Sequence, residues 1–239
     1  MEFAHWARTY EEAVGELSAR TWQAGILKEV SRLGKNKGHV LDVGAGSGIG
    51  GRLLKDLAPF HITALDRSVE MLALAEGVYD EKINREFSSF DIPDSQFDFV
   101  VSGFDSLNYL REPQLKSFFD SVGKVLAPDG YLIFDYSSPK LLWEDWFDKK
   151  YEQQLSNAIL QWGHRLNPET KGSEITLTLL DKERRKLWQE DHVQYTYDCY
   201  QMHRFTQNSG LTIERIRNLE TETFSPAQNT HVYVIKRSE

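Results

Sequence analysis

Val40-Leu41-Asp42-Val43-Gly44-Ala45-Gly46-Ser47-Gly48-Ile49-Gly50 decides how the chain folds. The segment begins as a short apolar strand, carries a carboxylate, and breaks into a glycine-rich turn before a helix over roughly Gly50 to Leu57. Glycines have no Cβ, so the backbone there can adopt positive φ and come close to a ligand. The first turn of the helix adds unpaired N–H groups. Such a loop cradles a nucleotide-like cofactor.

Two glycine fingerprints overlap in it. Gly46-x-Gly48-x-x-Gly51 satisfies the dinucleotide pattern, but glycines crowd the segment and make that match unspecific. Asp42 is more diagnostic: a carboxylate at this place repels a pyrophosphate and suits a ligand with positive charge. The acidic residue, spacer and alternating glycines resemble motif I of the class I S-adenosylmethionine (SAM) methyltransferases. The resemblance implies that Gly44, Ala45, Gly46 and Gly48 pack against the amino acid part of SAM, with Asp42 close by.

Further residues extend the resemblance. Asp66 closes a second strand, Ile62 to Asp66, where an acidic side chain can accept hydrogen bonds from both ribose hydroxyls or cap the next helix. Leu65-Asp66-Arg67-Ser68-Val69-Glu70-Met71-Leu72 is similar to the family's second motif. It implies Met71 against adenine with Arg67 beside it. Phe90-Asp91-Ile92-Pro93 also suits a surface turn, but by resemblance Asp91 meets the adenine amino group and the Ile92 amide a ring nitrogen. Ser102, Gly103 and Phe104 follow a hydrophobic strand and by the same resemblance line the sulfonium and methyl region. Asp105-Ser106-Leu107-Asn108-Tyr109-Leu110 resembles a run in a bacterial subgroup of small-molecule methyltransferases with an antiparallel cap. Phe134-Asp135-Tyr136-Ser137-Ser138-Pro139 departs from that subgroup by placing Ser-Ser where Asn-Thr is usual.

Around these motifs, strands and helices alternate. A weak strand is expected near Arg85 to Phe87, a fourth over Phe97 to Ser102, a helix over Gln114 to Leu126 and a fifth strand over Tyr131 to Asp135. Alternating apolar strands and helices imply a parallel sheet covered on both faces. After Asp135 the pattern changes. Trp143 to Ile159 reads as a helix. Ile159 to Trp162, Ile175 to Leu179 and Leu187 to Tyr197 read as strands of an antiparallel insertion. The expected fold is therefore α/β, a Rossmann-like seven-stranded methyltransferase sheet with an antiparallel β insertion. Residues 1–35 form an N-terminal helical segment over the cofactor site, 36–140 and 198–239 the SAM-binding core, and 141–197 the cap.

Composition narrows the partners. The formal charge is −8 over 239 residues, and no basic tail is present to neutralise phosphates, so nucleic acid is not the expected partner. No apolar run reaches the roughly 18–20 residues of a membrane span, and the first residues show no basic start followed by an apolar core. Cytoplasm is the expected location. A lone Cys199 rules out a disulfide framework or a multi-cysteine zinc site, and no metal is expected.

The cap supplies the catalytic candidates. In Glu190-Asp191-His192-Val193-Gln194-Tyr195-Thr196-Tyr197, alternation puts His192, Gln194 and Thr196 on one face. His192 can take a proton from an acceptor hydroxyl or amine, or serve only structurally. Tyr109, Trp143, Trp146, Trp162 and Trp188 are candidate pocket walls, with His5, Trp6 and Tyr10 closing over SAM and Tyr109 a second catalytic candidate. The expected function is methyl transfer from SAM to an oxygen or nitrogen of a small molecule, and an exposed hairpin could pair two copies as a homodimer. A catalytically silent SAM-binding protein and an NAD-dependent oxidoreductase are the alternatives.

Overall fold

The computed structural model describes residues 5–92 and 96–238. A seven-stranded sheet has the order β10-β11-β5-β4-β1-β2-β3, and a separate four-stranded sheet the order β6-β7-β8-β9. In the large sheet β1 (Gly38–Val43) lies between β2 (Phe60–Asp66) and β4 (Phe97–Ser102), parallel to both. Strand β5 (Leu126–Ser137) continues in parallel, and β11 (Thr230–Arg237) and β10 (Leu211–Asn218) close that edge in antiparallel register.

Both faces of the sheet are buried, as the continuous apolar strands require. One is covered by α5 (Glu112–Val125) and α6 (Cys199–Asn208), with Phe118, Phe119, Phe134, Met202 and Phe205 in the shared core. The other carries Ile26, Val30, Leu54 and Trp22 from α1 (Ala7–Trp22), a five-residue π segment (Gln23–Leu27), α2 (Lys28–Leu33) and α3 (Ile49–Leu57). A π segment leaves carbonyls without their usual α-helical donors. The buried Arg217 on β10 supplies donors, reaching the carbonyls of Ala24 at 2.7 Å and Gly25 at 3.1 Å while pairing with the buried Glu29. This contact fixes the N-terminal helices to the far edge of the sheet.

The sheet brings the motifs to its C-terminal edge, where open α/β sheets bind ligands. Above that edge, β6 (Lys150–Gln154), β7 (Ile159–Leu166), β8 (Ser173–Leu180) and β9 (Lys186–Gln194) form the antiparallel sheet. Its inner face carries Leu160, Ile175, Leu177 and Leu179 against Trp6 and Val14 of the N-terminal segment.

Two sequence expectations are corrected. The third strand β3 is Glu81–Asn84, not Arg85 to Phe87. It is a short edge strand with mostly exposed side chains, so it carries no hydrophobic signal. The segment from Trp143 to Ile159 is not a helix: a π turn at Lys140–Asp145 leads into β6, whose pairing with β7 overrides local helix propensity.

Candidate cofactor and acceptor site

A cavity of about 370 Å³ lies between the C-terminal edge of the large sheet, α1 and the inner face of the cap. It is lined from below by Gly44, Gly46, Asp66, Arg67, Met71 and Phe87, from the β4 side by Phe104, Asp105, Ser106 and Tyr109, and from α1 by Trp6 and Tyr10. The cap adds Trp146, Trp162, His164, His192 and Gln194. Its size is in the range of small-molecule sites.

Local geometry explains why the floor needs glycine. Gly44 has φ 69, and a Cβ on it would come within 2.7 Å of the Ser106 side chain. Gly46 has φ 54 and faces the cavity, where the nearest side-chain atom to a built Cβ is Met71 Cε at 3.8 Å. Its N–H donates to Asp66 Oδ2 at 2.8 Å, and Asp66 Oδ1 accepts the Ser68 N–H at 2.8 Å. Asp66 therefore braces the glycine loop and the turn into the next helix, and it stands in the cavity wall. Burial raises the pKa of its carboxyl, opposed by the Ser68 and Gly46 amides.

Asp42 is fully buried behind the glycine loop and accepts the Tyr79 hydroxyl at 2.7 Å through Oδ2. Its Oδ1 has no partner among the described residues. Burial pushes its carboxyl up to about 7. Ala45 and Gly48 also sit behind the lining: Ala45 is buried, and a Cβ on Gly48 would strike Ala75.

The predicted residues thus divide. Gly44, Gly46, Asp66, Arg67, Met71, Phe104, Tyr109 and His192 share the cavity. Ser102 is buried beneath it, and Gly103, like Gly50, lies directly under the Trp22 indole, so that glycine makes room for packing. Asp91 is exposed, with its carbonyl accepting from Arg85 at 3.4 Å, and it and the half-buried Ile92 stand outside the lining. Pro93 of that motif and Met1 to Ala4 lie outside the described residues. Of the aromatic candidates, Trp6, Tyr10, Trp146 and Trp162 line the cavity, whereas His5, Trp143 and Trp188 do not.

His192 is buried on β9 and meets Tyr109 edge-on, ring centroids 6.1 Å apart. Glu190 Oε2 lies 3.6 Å from its Nε2. Glu190 Oε1 accepts the backbone N–H of His5 at 2.7 Å and of Trp6 at 3.3 Å. One carboxylate therefore joins the catalytic candidate to the start of the N-terminal helix. His164, Gln194, Asp105 and Phe87 are cavity residues to which the motifs assigned no role. Alternation from Leu160 through Trp162 would have put His164 on the inner face.

The glycine floor, the Asp66 carboxylate and the soft Met71 contact fit SAM, whose ribose needs acceptors and whose adenine needs an apolar face. Among the described residues no group of three or more His, Cys, Asp or Glu side chains could hold a metal ion, and no helix is long and apolar enough to cross a membrane.

Comparison with known proteins agrees with this geometry. Residues 40–130 match a family model described as a methyltransferase domain. The Bacillus subtilis (strain 168) protein "Putative methyltransferase YqeM" is 26% identical over 98% of this chain and 96% of its own length. An S-adenosylmethionine-dependent methyltransferase from Clostridium acetobutylicum ATCC 824 superposes with a TM-score of 0.84 at 18% identity, covering 99% of both chains. The sugar N-methyltransferase KedS8 from Streptoalloteichus sp ATCC 53650 gives 0.70 at 18% identity, over 93% of this chain and 87% of that one. These structural likenesses show the fold. Taken with the domain model matched over residues 40–130 and the similarity to curated putative methyltransferases, they support a SAM-dependent methyltransferase with the class I fold.

Proposed function

We propose that the protein methylates an oxygen or nitrogen of a small molecule held beneath the cap. The observation that carries this is the single cavity in which Gly44, Gly46 and Asp66 face Trp162, His164 and His192. In this assignment residues 36–140 and 198–239 are the SAM-binding core, 1–35 cover it, and 141–197 select the acceptor. One structural neighbour is a sugar N-methyltransferase, which supports a small-molecule acceptor.

When bound, SAM supplies an electrophilic methyl group on a sulfonium. The chain has to align the nucleophile with it and exclude water. Gly44 and Gly46 would hold the amino acid part, Asp66 the ribose hydroxyls and Met71 the adenine, with Arg67 beside them. Asp42, Ala45, Gly48, Ser102 and Gly103 would shape that floor from behind. Asp91 and Ile92 would reach adenine only if their loop turned inward. On the cap side, His192 would accept the acceptor's proton, and Glu190 places a negative charge 3.6 Å from its Nε2, beside the imidazolium so formed. Tyr109, packed edge-on to His192, would orient the acceptor.

Thermal-shift titration with S-adenosylhomocysteine, SAM and NAD tests the cofactor. A larger shift with NAD, or none with either sulfur ligand, would defeat the proposal. Methyl transfer from labelled SAM into a metabolite extract, lost on substituting cap residues, tests the acceptor side.

A further inference from the structure

The cavity wall holds groups that bear on which acceptor atom is methylated. Phe104 and Asp105 are consecutive side-chain-bearing residues with positive φ, 54 and 61. Such a pair is strained and is retained where surrounding structure enforces it. The enforcing group is the Asp135 carboxylate, fully buried on β5, which accepts the Phe104 N–H at 2.8 Å and the Asp105 N–H at 2.9 Å. Held in this way, Asp105 stands in the cavity wall. Its Oδ1 accepts the Ser137 hydroxyl at 2.7 Å, and no described residue donates to its other oxygen.

A second acceptor lines the same cavity. Gln194 is only 5% exposed, and its Oε1 has no donor among the described residues. Its strand end is tied to the Asp105 turn: the Tyr195 N–H donates to the Asn108 carbonyl at 2.6 Å, and Asn108 Nδ2 donates to the Tyr195 carbonyl at 2.9 Å. A buried carbonyl without a donor is costly unless a ligand supplies one.

The cap contributes ring faces. Tyr151 and Trp162 lie nearly parallel at 5.7 Å between centroids, Trp162 and His164 at 6.5 Å, and Trp146 approaches His164 to 4.6 Å. Ring faces offer a large apolar surface for a carbon skeleton. His164, 3% exposed and without a hydrogen-bond partner among the described residues, adds no competing charge: burial, then Lys149, presses its pKa down to about 4.

We propose that the acceptor is an amine that enters as its ammonium ion, anchored by Asp105 and Gln194 with its carbon skeleton against Trp146, Tyr151 and Trp162. The inference rests on the methyl-transfer assignment of this cavity. An ammonium offers only donors, which match a carboxylate in the cavity wall and an amide carbonyl to which no described residue donates. An alcohol has one donor, so it can satisfy only one of the two acceptors and turns lone pairs towards the other. To become nucleophilic the nitrogen must shed a proton. One N–H bond breaks, its electron pair stays on nitrogen, and the proton bonds to the His192 imidazole, which lines the same cavity. The ammonium thus becomes a neutral amine and the imidazole an imidazolium.

The test uses the full chain saturated with S-adenosylhomocysteine and matched probes of one carbon frame. These are benzylamine against benzyl alcohol, cyclohexylamine against cyclohexanol, and 2-phenylethylamine against 2-phenylethanol. Binding is read by calorimetry and by tryptophan fluorescence. At least one amine should bind about tenfold more tightly than its alcohol, and in Asp105→Asn the preference should collapse to about threefold or less. Asparagine tolerates left-handed backbone, so the turn should persist. Equal binding of amines and alcohols, binding of no amine, or an undiminished preference in Asp105→Asn would each overturn the inference. Should Asp105→Asn fail to fold, the wild-type comparison decides alone. Failure of S-adenosylhomocysteine itself to bind would instead sink the methyl-transfer assignment.

Discussion

Tyr79 donates its hydroxyl to Asp42 across 2.7 Å, and both groups are buried behind the glycine loop. The bond favours the ionised carboxylate, while burial and the nearby Asp66 oppose ionisation and bring Asp42 up to about 7. Tyr79→Phe keeps the ring and removes the donor. Urea unfolding near neutral pH should show a loss of about 1–3 kcal/mol, the usual cost of leaving a buried polar group without its partner.

The same carboxyl sets a pH dependence. Its folded pKa is raised, so the folded chain holds a proton that the unfolded chain releases above about pH 4. Stability from Asp42 is therefore greatest at low pH and declines as pH rises from about 4 through about 7. Asp42→Asn lacks this term. Its unfolding free energy relative to wild type should climb between about pH 4 and about pH 7, and a flat difference would refute the assignment.

Gly46→Ala tests the floor of the cavity. The position has φ 54, where a Cβ costs roughly 1–2 kcal/mol, and the new methyl would project towards Met71 in the cavity wall. Calorimetry should show S-adenosylhomocysteine affinity reduced about tenfold or more, a loss of about 1.4 kcal/mol, because the methyl takes space from the ligand.

Asp66→Ala removes the acceptor for the Gly46 and Ser68 amides along with the proposed ribose contact. The thermal shift produced by S-adenosylhomocysteine should disappear, and Asp66→Asn should recover only part of it.

His192→Ala should leave S-adenosylhomocysteine binding within about threefold while kcat drops about 10²-fold or more, the range of a lost general base. Unchanged kcat would assign His192 a packing role.

Glu190→Ala releases the backbone of His5 and Trp6. Amide exchange over the first turns of α1 should accelerate about tenfold while the large sheet keeps its protection.

The sheet and the glycine-lined wall of the cavity were legible because they depend on local pattern: apolar runs, a glycine turn, carboxylates at strand ends. Asp66 illustrates this, since its position at the end of β2 alone puts it in the wall. The wall formed by the four-stranded sheet was less legible. Tyr151 belongs to a strand with four of five residues exposed, whose only strong signal is its pairing with β7. Asp105 stood inside a quoted motif, but its aim into the cavity depends on a carboxylate 30 residues away. Gly103 carried the opposite lesson: its smallness serves the Trp22 indole, a tertiary contact that a run of glycines cannot distinguish from a ligand cradle. Asp91 has the right place in the chain and an exposed side chain, which only the loop's path could decide.

Strand β5 finds its outer neighbour in β11, with Ser137 beside Thr230, only after the chain has made the entire cap and α6. Loop closure on that scale is slow, and until it happens the apolar β5 presents an unpaired edge to other chains. The nascent protein is therefore most prone to aggregate after β5 has emerged and before β11 has been synthesised. Substitutions that delay cap formation should lower soluble yield at high expression without lowering the stability of the molecules that complete the sheet.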